Sequence, residues 1–138
     1  MNTEERIARL EESNQELREE VKKLEFRIAL LGMPSNVNQM LFECGLNEQD
    51  YHRILELMDE IQNELCNRRE YTSAMYEKKM HEIFSGRHGL ENDYHFFEAV
   101  ACAFFEDRRY QEVFATLYGN MPKYEGLMED ARNTGLYQ

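Results

Sequence analysis

The side chains best suited to chemistry in this chain are four histidines, three cysteines and one carboxylate, Glu98, set inside an apolar stretch. Three of the histidines follow a glutamate by four residues, as Glu48–His52, Glu77–His81 and Glu91–His95. A carboxylate-bridged dimetal bundle instead takes Glu-x-x-His from two helices and a further inward Glu from each of two others. The observed spacing therefore predicts ordinary i,i+4 surface pairs and no metal site. His81, His88 and His95 are seven apart, but Gly86 and Gly89 interrupt any shared helix; His88 is expected as an exposed loop residue, the alternative being a local turn that holds it near the ends of two helices.

Glu98 lies among Phe96, Phe97, Ala99, Val100, Ala101, Cys102, Ala103, Phe104 and Phe105. Burial there would raise its pKa, whereas a partner such as Arg108 or Arg109 would hold it ionised at the rim of a bundle, which is the expectation. Acid–base catalysis needs paired groups whose surroundings push their pKa values apart, and the sequence offers no such pair. It offers neither a Ser or Cys nucleophile beside a base nor a glycine-rich phosphate loop. The expectation is a protein that is not an enzyme and binds no cofactor. Cys44, Cys66 and Cys102 are odd in number, widely spaced and without a C-x-x-C pair. They predict reduced thiols rather than a disulfide framework or a zinc site, with Cys102 a small core residue.

The elements that carry these residues read as helices throughout, so the fold class is all-α: an N-terminal coiled-coil helix in residues 1–33 and a compact multi-helix bundle in 35–138. Apolar residues recur at alternating spacings of three and four from Ile7 to Leu31. Ile7, Asn14, Val21 and Ile28 occupy the a positions, and Leu10, Leu17, Leu24 and Leu31 the d positions. β-branched residues at a with Leu at d favour a parallel two-stranded coil, and a lone Asn at a costs stability while fixing register. A seam only two positions wide per heptad is narrower than the stripe of a helix packed on its own domain. The flanks are mixed. In a parallel dimer Arg6 meets Glu11 favourably, while Glu20 meets Glu25 unfavourably. Arg6-Ile7-Ala8-Arg9-Leu10-Glu11 is also similar to a pattern known in three-stranded coils, so the chain is expected to bind itself as a homodimer, with a homotrimer as the alternative.

Gly32-Met33-Pro34-Ser35 ends this stem. A short helix over 37–44 follows, closed by Gly45 with Leu46 in contact. Asn47 then caps a helix with Asp50 at its N3 position, whose Tyr51, Ile54, Leu55, Met58, Ile61 and Leu65 face a core. Another helix starts at Thr72 or Ser73, with Met75, Tyr76, Met80, Ile83 and Phe84 inward. Asn92 caps a segment over 93–106 that is apolar nearly all round and so predicted to be central. Asp107 begins the next helix, with Tyr110, Val113, Phe114, Leu117 and Tyr118 inward, and a weaker helix follows Pro122. Residues from about 35 to 135 thus read as one multi-helix domain.

The net charge of −11 is carried without any basic segment, which argues against binding a phosphate backbone. Glu56, Asp59, Glu60 and Glu64 share one side of the helix begun at Asn47. Such a run is most simply a solvated face, and otherwise a surface for a basic protein partner, which it would meet as a mimic of DNA phosphates. The longest run free of polar residues spans 99–105, far short of the roughly 20 a membrane helix needs. With no leader evident after Met1, the expected location is cytoplasmic.

Arg6-Ile7-Ala8-Arg9-Leu10-Glu11, Gly45-Leu46 before an acidic helix, Ile83-Phe84-Ser85-Gly86 and Tyr110-Gln111-Glu112-Val113-Phe114 together resemble the YhaI-like family of small uncharacterised helical proteins of Bacillus and relatives. That resemblance implies an all-α cytoplasmic protein and brings no catalytic residue with it. The function expected from the residues is a non-enzymatic, homo-oligomeric protein–protein interaction module. An acidic inhibitor of a nucleic-acid-binding protein is the first alternative, and a small enzyme or ligand-binding bundle using Glu98 and the histidines the second.

Overall fold

The computed structural model describes residues 2–135; Met1 and the last three positions of the expected bundle, 136–138, lie outside it. The described residues form α1 (Thr3–Gly32), α2 (Asn36–Glu43), α3 (Glu48–Cys66), α4 (Ser73–Ile83), α5 (Tyr94–Glu106), α6 (Gln111–Tyr118) and α7 (Glu125–Asn133), with a 3₁₀ turn at Pro122–Tyr124 and no strand. The domain after the stem therefore has six α-helices, the number of helical segments read from the sequence.

Each boundary has a local cause. Asn2 caps α1 by accepting from the Glu5 amide, and Ser35 caps α2 by accepting from the Asn38 amide. Pro34 cannot continue α1, but Gly32 remains helical, and Met33 makes the exit with its carbonyl accepting from the Asn38 amide group. Gly45 takes the left-handed conformation at φ 66° and the Leu46 amide reaches back to the Leu41 carbonyl, which buries the Leu46 side chain as expected. Asn47 and Asp50 form the reciprocal capping box at the start of α3.

Two caps differ from the sequence reading. Asp93, not Asn92, caps α5. Asp107 does not begin α6. Its carboxylate instead accepts from the Asn36 and Val37 amides, each at 2.9 Å, and so caps α2 from across the fold. Tyr110 precedes α6 at φ 51° with no side-chain cap.

α5 packs against α2, α4 and α6, and α3 packs against α4 and α6. This central place follows from its composition: Phe96, Phe97, Val100, Ala101, Phe104 and Phe105 are all buried, while Tyr94 at its start and Ala99 are exposed. Tyr76 is fully buried and its hydroxyl donates to the Phe97 carbonyl at 2.6 Å. Edge-to-face contacts of Phe84 with Phe96 and of Phe114 with Tyr124 close the aromatic core. Met75, expected inward, is exposed, because α4 turns Tyr76 and Met80 to the core instead.

Candidate self-association seam and the polar pairs of the domain

Only the last turns of α1 touch the domain. Leu30 is buried, Phe26 and Arg27 are half-buried, and every other described residue of α1 is exposed. Phe26 packs against Tyr51 with ring centroids 6.4 Å apart, and the Arg27 guanidinium lies 4.3 Å from the Phe42 ring centre. Residues 3–25 thus project as about 35 Å of helix at 1.5 Å per residue.

In the heptad, Phe26, Arg27 and Leu30 are the f, g and c positions. At 3.6 residues per turn, the centre of f and c lies about 160° around the axis from the centre of a and d. The domain therefore grips the back of the stem. Ile7, Leu10, Leu17, Val21, Leu24, Ile28 and Leu31 line the front, each between 49% and 68% exposed. Asn14 completes the row as an exposed polar interruption. A helix packed intramolecularly would bury this stripe, and here the apolar face and the docked face are different faces.

Elsewhere the structure brings together groups that the sequence did not pair. Asp50 is fully buried. Its Oδ1 lies 2.7 Å from Arg87 Nη2, an ion pair rather than an aligned hydrogen bond, and its Oδ2 lies 3.0 Å from His88 Nε2 and accepts from the Asn47 amide. The turn between α4 and α5 makes this contact. His88 is left-handed at φ 54° between glycines of the same hand, so its imidazole is partnered rather than free in an exposed loop. The Gly86 amide donates to the Glu91 carboxylate and a ring nitrogen of His81 contacts the Glu91 carbonyl, so Glu91 is turned away from His95. Of the three expected Glu–His pairs only Glu48–His52 forms, at 3.6 Å on the surface. Glu77 accepts from Tyr118 instead.

Glu98 pairs with neither Arg108 nor Arg109. It forms an ion pair with Lys123 and accepts from the Tyr124 hydroxyl at 2.6 Å, both delivered by the 3₁₀ turn. Burial pushes its pKa up, but the bonds from Lys123 and Tyr124 and the lysine charge outweigh it and leave the carboxyl below its usual value. Arg109 donates to the Tyr51 hydroxyl and stacks near Phe104. Cys102 is half-buried, its thiol pushed up to about 12 by burial and by Glu106, which keeps it a poor nucleophile.

The acidic side of α3 is partly spent on its own chain. Asp59 accepts from Tyr110 at 2.6 Å, and Glu64 pairs with Arg69 at 3.1 Å. Glu56 and Glu60 border a shallow groove that also contains Arg53 and Lys79.

Compared with protein-family models, curated proteins and solved structures, the chain matches none. No helix among the described residues is long and apolar enough to cross a membrane, and no group of three or more His, Cys, Asp or Glu among them is placed to hold a metal ion.

Proposed function

We propose that this protein is a non-enzymatic, homo-oligomeric interaction module in which α1 joins copies of the chain and the helical domain is the part so multiplied. The observation that carries this is the row of seven exposed aliphatic side chains, interrupted only by Asn14, on the face of α1 turned away from its own domain. An exposed apolar surface of this extent marks an interaction site, and its heptad spacing is that of a helix that pairs with helices like itself.

The energetics favour the reading. Burying a fully exposed Leu, Ile or Val stabilises by about 1.5–3 kcal/mol, so seven side chains roughly half to two-thirds exposed supply about 6–12 kcal/mol per chain. A pair then gains about 12–24 kcal/mol against an association cost of about 4–15 kcal/mol. A long projecting helix with little tertiary packing also gains from a partner, because most helical stability in proteins comes from packing an amphipathic face.

The acidic face of α3 supports a basic partner less well, since Asp59 and Glu64 are engaged internally and Arg53 and Lys79 interrupt the charge around Glu56 and Glu60. A cytoplasmic setting, in keeping with the odd and widely spaced cysteines, belongs to the same proposal.

The variant Leu17→Glu tests the assignment by placing a charge at the middle d layer. Size-exclusion chromatography with light scattering at a fixed concentration should show a lower mass for it than for the unmutated chain. An oligomer of unchanged mass would place self-association on another surface.

A further inference from the structure

We propose that the stem joins two chains, parallel and in register, and that Asn14 is the residue that selects two strands over three. The inference rests on the self-association reading and adds to it the polarity, the number of partners and the residue that decides them.

The docked face supplies the first step. Because the domain holds Phe26 and Leu30 on the back of α1 and Arg27 on one flank, the a and d row itself is left exposed. The row runs down to Ile28 and Leu31, level with the docking residues, so the seam remains available to its full length.

Polarity follows from Asn14. In a parallel, in-register pair each a residue meets its own symmetry mate, and the two Asn14 amides can donate to and accept from one another. An antiparallel pair over the same eight positions sets Ile7 opposite Leu31 and Leu10 opposite Ile28, which leaves Asn14 opposite Leu24. The amide would then be buried in an apolar layer without a partner. Arg6 and Glu11 add charge complementarity to the parallel arrangement, and Glu20 facing Glu25 detracts from it.

Strand number is contested between two features of the same helix. The Arg6 to Glu11 pattern suits three strands, whereas an a-position Asn with β-branched neighbours at a and Leu at d suits two. Arg27, the g residue nearest the base, is held over Phe42 of its own chain, so at that end the flank that would meet a partner's e residue is engaged by α2 for either strand number, and the Asn14 layer is what decides for two. Both domains then sit at one end of the stem, on its outer sides.

Three measurements on the full chain test this. Sedimentation equilibrium of the unmutated protein should give a mass of two chains, and Asn14→Val should shift it toward three chains and raise its melting temperature. For polarity, Leu10→Cys and Ile28→Cys are each made in a Cys66→Ser background and oxidised. Each alone should form a disulfide-linked pair. Cross-linking only when the two variants are mixed would overturn the parallel arrangement, and a three-chain mass for the unmutated protein would overturn the two-strand assignment, with self-association intact in both cases. An Asn14→Val protein that stays at two chains with an unchanged melting temperature would remove the role given to Asn14. A one-chain mass at every concentration would instead remove the self-association reading beneath all three.

Discussion

Replacing Asp50 by Ala should destabilise the domain by about 2–4 kcal/mol, far more than a typical polar substitution in a helix's first turn. Removing one member of a buried ion pair costs about 3–5 kcal/mol when the remaining charge stays buried. Here Arg87 and His88 are 29% and 27% exposed at their side chains, so both can turn toward water and part of that cost is relieved. Loss of the reciprocal bond from the Asn47 amide restores about 1 kcal/mol to the total, the usual value for a cap. Asp50→Asn keeps the shape and one acceptor and should lose less. Urea denaturation followed by circular dichroism, at one protein concentration for all variants, measures the difference. A loss below about 0.5 kcal/mol for Asp50→Ala would refute the idea that this carboxylate ties the α4–α5 turn to the start of α3.

Further outcomes follow from the stem and from the tyrosines. Deleting residues 2–22 should leave a domain with the denaturation midpoint of a folded protein and a one-chain mass, whereas deleting 2–33 should lower that midpoint, because Phe26, Arg27 and Leu30 then no longer cover Tyr51 and Phe42; equal midpoints for the two truncations would show that the docking contributes nothing. Burial and the bond to Asp59 push the Tyr110 hydroxyl from 10.0 up to about 12. A folded-state pKa raised in this way stabilises fully below pH 10 and is lost as pH rises toward 12. Tyr110→Phe should therefore flatten the fall in stability over that window relative to the unmutated chain, as read by denaturation at stepped alkaline pH, and an identical pH profile would count against the bond.

The stem, the helix order and most boundaries were legible because each depends on neighbours in sequence. The heptad from Ile7 to Leu31, the Asn47–Asp50 box and the Gly45–Leu46 turn are set by spacings of three to seven residues. The polar partners were not legible, for the opposite reason. Asp107 caps α2 from 70 residues away, His88 meets Asp50 across 38, and Glu98 meets the 3₁₀ turn across 26. No periodic pattern encodes such pairings, which arise once α5 is seated against α2 and α6. Asp107 was read as a helix start because it stands shortly before one, and the signal that it serves another helix is tertiary. The exposure of the a and d row adds to what the heptad alone left open, since only the structure shows that the domain grips the other side of the helix.

The most direct test of the central claim is the mass of the unmodified chain in solution at tens of micromolar, combined with its melting at two concentrations. A multiple of the 16.6 kDa chain mass, with a melting temperature that rises with concentration, is the expected result. A mass of one chain with a melting temperature indifferent to concentration would contradict it.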